Sequence, residues 1–350
     1  MKRICLFYIC CLLLISEQLL CADYQVFGSL NSYISTDFHE YSGHKQDRTN
    51  EVCNSMKGIF GINEASIGLQ ADGKNYYGRV SLQLGNFQNE FRNNNDYLQD
   101  AYVGYKINKN ISIDGGYFLS ESAEMILDNR FNSQQWVNYY LPVNHAGIRL
   151  NYRKKDFEFG FSVLNSIYDR NSRTGNLAFS PSVKYDYNNG MIKINLQGIY
   201  GNEVYGDYEV FQMYNILKTE VALLEHLFGG FEFVNFVAGA EPVLRAKPKT
   251  LNNINIWLSG NFLSDFTASV RFSVLNNHSN LWNLPAQINP DAALSIEYKP
   301  SKKSFIRLEV RDIFLDGERR NDFFINEEMP VNYRTDVSIN FGFYLIKLVN

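Results

Sequence analysis

Charged residues recur at alternate positions along otherwise apolar stretches of this chain, which suits them to act together on a solute. The basic ones are Arg79, Lys106, Arg149, Arg153, Lys184, Lys193, Arg271, Lys299, Arg307 and Arg311; the acidic ones in the same phase are Asp100, Asp114, Glu158, Asp186, Glu297, Glu309 and Asp336. Fixed charges of this kind carry no covalent chemistry. On the wall of a narrow water path they select solutes by charge, and the small basic excess favours anions. The competing reading is that they pair across neighbouring strands and keep the surface solvated. A second charged set lies in 120–142, where Glu121, Glu124, Asp128 and Arg130 precede Trp136, Tyr139, Tyr140 and Pro142. An acidic segment facing a basic wall would set up a transverse field; the alternative is an outer cap with its aromatics at the membrane interface.

Other chemistries fit less well. The histidines are His39, His44, His145, His226 and His278. A hydrolase built on His278 and Ser279 fails because adjacent strand residues point to opposite faces. His39, His44, Asp37, Glu40 and Cys53 match no compact metal-ligand spacing. The reading is therefore of a protein that is not an enzyme, with no catalytic residue, no metal and no cofactor.

The elements that position the charges are strands. Period-two alternation sets Tyr76, Val80, Leu82 and Leu84 against Arg79, Ser81 and Gln83, and Phe266, Ala268, Val270, Phe272 and Val274 against Thr267, Ser269, Arg271 and Ser273. Segments 148–153, 192–197, 306–311 and 336–343 repeat the pattern. They are joined alternately by short turns, such as Asp72-Gly73-Lys74-Asn75, Asn188-Asn189-Gly190 and Gly229-Gly230, and by long gaps near 37–57, 87–96, 120–142, 168–178, 202–207, 240–251, 277–290 and 315–332. A soluble sandwich has no reason to sort its joins this way, whereas an outer-membrane barrel has a periplasmic rim of turns and an outer rim of loops. The fold class is thus all-β: a transmembrane antiparallel β-barrel of about 16 strands with short periplasmic turns and long extracellular loops. The count is least decided between Tyr208 and Gly239, where Val221 to Phe228 also reads as helix, and fourteen or eighteen strands are the alternatives.

Residues 1–22 have the build of a secretory signal peptide, with Lys2 and Arg3 before the apolar run Ile4 to Ile15 and a cleavage site after Ala22; residues 23–350 form the barrel. A lipoprotein reading through Cys21 is weaker because Leu20 before it is bulky. Four of the five cysteines lie in that leader, so Cys53 stands alone in the mature chain and no internal disulfide framework exists. After the leader no apolar run approaches the roughly 18 residues of a spanning helix. The 26 Phe and 23 Tyr, beside a mean hydropathy of −0.26, suit a lipid face with aromatic girdles around a wet interior. Net charge −4 and pI 5.8 give no sign of a nucleic-acid partner.

Within this framework Leu98-Gln99-Asp100-Ala101-Tyr102-Val103-Gly104-Tyr105, then Asp114-Gly115-Gly116-Tyr117-Phe118 and Glu124, continuing to Pro142, Gly147, Ile148 and Tyr152, resemble the paired-strand pattern of OmpL-like porin barrels and, more distantly, of phosphate-selective porins. The resemblance implies an outer-membrane porin for passive diffusion of small hydrophilic solutes or ions, with the loop after Phe118 shaping the pore. Ala123 stands where such chains often carry glycine. The chain also ends Leu348-Val349-Asn350 rather than on an aromatic, so recognition by the barrel-assembly machinery would fall to Phe341, Phe343 or Tyr344.

The sequence reading is a bacterial outer-membrane diffusion channel. Its partners are membrane lipid, small solutes or ions and the assembly machinery, and a homotrimer is expected by analogy with sixteen-stranded porins. The rival is a surface-exposed binding or adhesin barrel with a closed lumen, whose long loops would hold the ligand.

Overall fold

The structure is a computed structural model that describes residues 22–38, 54, 58–86, 97–120, 130–133, 141–167, 176–205, 208–239, 248–277, 288–314 and 333–349. Residues 1–21, where the signal peptide is expected, the loop acids Glu121, Glu124 and Asp128, and His39, His44, Cys53 and His278 lie outside these residues. Sixteen strands run β1 (Asp23–Asp37), β2 (Phe60–Asp72), β3 (Tyr76–Leu84), β4 (Leu98–Lys106), β5 (Ile111–Leu119), β6 (Asn144–Lys154), β7 (Phe157–Leu164) and β8 (Ala178–Tyr187). They continue as β9 (Ile192–Tyr205), β10 (Tyr208–Leu224), β11 (Leu227–Ala238), β12 (Lys249–Leu263), β13 (Phe266–Asn276), β14 (Ile288–Ser301), β15 (Ser304–Phe314) and β16 (Tyr333–Val349). Each pairs antiparallel with its sequence neighbour, and β16 pairs with β1, closing the sheet into a barrel without an edge.

Alternation decides which face each residue takes. On β15, Phe305, Arg307, Glu309 and Arg311 are buried inside while Ile306, Leu308 and Val310 are exposed outside. The short joins, the start of β1 and the end of β16 gather at one rim. There Asn188 and Asn189 adopt φ of 50° and 54°, the left-handed conformation that a tight hairpin turn needs and that asparagine tolerates. At 107–110 the Asn108 side-chain oxygen accepts from the backbone N–H of Asn110 and Ile111 at 2.8 and 3.0 Å.

Two sequence expectations are corrected. The gap near 202–207 is not a long loop, since β9 reaches Tyr205 and pairs with β10 from Tyr208. The turn expected at Gly229-Gly230 lies instead at Glu225 and His226, and Val221 to Phe228 is strand and turn rather than helix. Both glycines sit inside β11, where Gly230 leaves room for a ring described below.

The usual polarity is inverted over part of the wall. Along β9 to β12, Ile199, Tyr214, Ile216, Val234, Phe236 and Leu251 are buried on the inner face and pack with Phe118, Leu141 and Val143. On the outer face Tyr200 Oη donates to Asn215 Oδ1 (2.8 Å), Asn215 Nδ2 to Asn235 Oδ1 (3.2 Å) and Asn235 Nδ2 to Asn252 Oδ1 (2.8 Å). Apolar outward residues flank this ladder on β10, with Phe211 and Met213 to one side and Leu217 to the other. The amides satisfy one another where lipid offers no partner. Asn235→Leu removes two of the three hydrogen bonds and leaves groups unpaired on both neighbours. The barrel is expected to lose about 1 kcal/mol, read as an earlier midpoint in urea unfolding from detergent, whereas an unchanged midpoint would show the ladder to be energetically idle.

Candidate pore wall and loop constriction

Backbone pairing continues past β5 and β6 at the base of the third long loop. Ser120 N donates to Val143 O (2.8 Å) and its hydroxyl to Pro142 O (2.5 Å). The tip of that loop is found across the lumen. Arg271 of β13 donates to Ser133 O and Oγ, both at 3.0 Å, and β13 lies eight strands from β5 in either direction around the barrel. The segment Arg130 to Ser133 therefore lies on the side of the lumen opposite the loop's root.

The contacts at the tip are charge-assisted and mostly buried, which makes them strong. Glu309 of β15 accepts from the backbone N–H of Asn132 at 2.5 Å and of Ser133 at 3.0 Å. Arg307 donates to Phe131 O (3.3 Å), and Asn132 Nδ2 reaches Ser338 Oγ on β16 (3.0 Å). Arg130 donates to Glu220 Oε1 on β10 (2.9 Å), and its guanidinium carbon stands 3.5 Å from the centre of the Trp257 ring on β12. At this end of the loop the wall supplies both carboxylates, Glu309 and Glu220, and guanidiniums, Arg271 and Arg307, while the loop supplies the Arg130 cation together with backbone donors and acceptors.

The Trp257 platform has a sequence cause. Trp257 pairs with Gly230, and a Cβ on Gly230 would fall 2.3 Å from the ring, so only glycine lets the indole lie flat against the wall. The device recurs. Phe27 covers Gly68 beneath Arg79 (4.1 Å), Tyr77 covers Gly104 beneath Lys106 (5.6 Å), and Phe305 covers Gly342 beneath Arg307 (4.7 Å).

The wall residues named from the sequence face the lumen in two groups. Arg271, Arg307 and Arg311 are buried beside one another on β13 and β15. Arg271 and Arg311 both reach Asp291 of β14, at 3.2 and 3.3 Å, and Arg307 Nε reaches Glu297 at 3.1 Å. On the opposite side Arg79 pairs with Asp100 (3.0 Å), and Arg149 with Asp114 (2.9 Å), which also accepts from Tyr77 and Asn151. Lys106 pairs with Asp72 and Arg153 with Glu158 near the turn rim, and Lys193 is exposed there. Most of these cations are met by a carboxylate on a neighbouring strand, as the pairing alternative required.

Sequence reasoning missed Glu220, Trp257, Asp291, Asn132 and Ser133. Asp291 was legible: it stands in the same alternating phase of β14 as Ser295 and Glu297, but the expected gap at 277–290 hid the strand start. The others depend on where the loop tip lands, which no local pattern encodes.

A search of curated proteins gives no match. The barrel resembles OmpT of Vibrio cholerae in its trimer form (TM-score 0.65, 10% identity, 93% of this chain and 100% of that one). It also resembles the outer membrane channel DcaP of Acinetobacter baumannii (TM-score 0.64, 13% identity, 93% and 98%) and an anion-selective porin from Comamonas acidovorans (TM-score 0.63, 10% identity, 93% and 100%). At such identities these likenesses speak for the fold. The family model described as "Putative beta-barrel porin-2, OmpL-like" matches residues 23–344, nearly the whole barrel. The chain belongs to this family of outer-membrane β-barrel porins.

Proposed function

We propose that the chain is a passive diffusion pore for small hydrophilic solutes and ions, slightly anion-preferring, with segment 120–142 as its constriction. The observation that carries this reading is the traverse of the third loop from β5 to the wall of β13 and β15. A loop anchored across the lumen narrows the water path, and the charges beside it act on whatever passes. No chemical step is involved. Selection is by width and field, and the extensive pairing of wall cations keeps the preference slight. Residues 1–22 serve as the export signal, the assembly machinery inserts the barrel, and three copies assemble as a homotrimer.

The test is single-channel recording of the refolded mature chain in a planar bilayer under a KCl gradient. Discrete conductance steps are expected, whereas a folded barrel that stays silent would favour a closed scaffold with binding loops. Glu121→Gln with Glu124→Gln should shift the permeability ratio toward chloride by about twofold. Unchanged conductance and reversal potential would place those carboxylates away from the constriction.

A further inference from the structure

We infer that the turn-side half of the lumen holds a binding chamber for small organic carboxylates with a flat apolar body. The inference rests on the diffusion-pore reading and names the solute class that one stretch of that pore is built to receive. Beneath the loop tip, between the ends of β11 to β16 nearest the turns, lies a space of about 590 Å³, within the range of small-molecule sites.

Its charged lining is Arg130, Lys299, Lys302 and Arg307 against Glu297 alone. Glu297 is shared between Arg307 and Lys299, the latter at 2.9 Å. Lys302 has no ion-pair partner among the described residues. Behind the lining, Glu220 faces Arg130, and Lys218 stands 3.6 Å from both Glu220 and Glu232. The lining carries a formal charge of +3; Glu220, Lys218 and Glu232 behind it bring this to +2, and Glu64, which acts on Tyr344, to +1. A confined positive surplus concentrates anions.

The rest of the lining selects among them. Phe305 and Tyr344 form one aromatic side, with their centroids 6.0 Å apart, and Phe228 lines the space from β11, beside Trp257. The Tyr344 hydroxyl has no hydrogen-bond partner among the described residues. Ser259 and Ser269 share one hydrogen bond at 2.8 Å, which leaves one hydroxyl hydrogen to donate. Cations and hydroxyls suit the two oxygens of a carboxylate, and the rings suit a planar hydrocarbon body. An inorganic anion would leave the rings unused, and a neutral aromatic would leave the charge unused.

Benzoate, benzamide, acetate and inorganic phosphate separate these cases. They are added to single channels in KCl and, in parallel, titrated against tryptophan fluorescence of the refolded barrel in detergent, since Trp257 lies beneath Arg130 at the chamber's edge. Benzoate is expected to reduce the current and change the fluorescence with one midpoint, at least about fivefold below those of benzamide, acetate and phosphate. Lys299→Gln with Lys302→Gln should raise that midpoint about fivefold. Lys109→Gln, in the turn after β4, should leave it alone. Benzoate no stronger than the other three, or indifferent to the paired lysine changes, overturns the chamber even if the channel conducts. A folded barrel silent in KCl that still titrates with benzoate overturns the pore reading and keeps the chamber.

Discussion

A Glu309→Ala barrel should conduct severalfold more than the parent, with frequent transitions between levels, while migrating as a folded barrel before heating. Glu309 is buried and accepts both backbone N–H groups at the loop tip. Its removal leaves those donors unpaired and the neighbouring Arg271 and Arg311 less compensated. Breaking such a buried charged network costs about 3–5 kcal/mol. The strands keep their ladders, so the cost falls on the tip, which can escape it by leaving the wall. Glu309→Gln keeps one acceptor and loses the charge, so a smaller rise is expected. A parent-like conductance in Glu309→Ala would mean that the tip does not limit the current.

Gly230→Ala should act in the opposite direction. The new Cβ has no room beneath Trp257, and the indole must swing into the lumen, taking away the surface on which Arg130 rests. Overpacking of this kind costs about 1–3 kcal/mol, and the displaced ring occupies pore space, so conductance should fall by about half or more. Combining it with Trp257→Ala removes the clash, and the double variant should conduct more than Gly230→Ala alone. Strict additivity of the two changes would break the link between glycine, ring and pore.

Much of the barrel was legible because lipid on one side and water on the other impose a period of two. Segments such as 266–274 and 306–311 state their faces outright. The alternation also placed Arg149, Arg271 and Arg307 inside. It misled where the physics differs: on β10 and β11 Tyr214, Ile216, Val234 and Phe236 turn inward under the loop while Asn215 and Asn235 turn outward, so the alternation there argues against itself. Gly229-Gly230 looked like a turn because glycine has two uses, conformational freedom and absence of bulk, and here the second applies. The arrangement at the loop tip was illegible for a further reason. That Asn132 and Ser133 meet Glu309 depends on a chain crossing eight strands of wall, a distance over which sequence carries no register.

The closing pair of strands has a consequence for how the barrel comes to exist. Every pairing but one joins neighbours in sequence, and where the join is a tight turn its geometry sets the register locally. The seam between β1 and β16, from Tyr24↔Val349 to Asp37↔Asp336, has no such guide. It must bring together the first and last strands of the barrel, with the loop-closure entropy that entails. Refolding should therefore pass through an open, curved sheet whose two raw edges wait for one another, and the slowest phase should report on residues of this seam rather than on any hairpin.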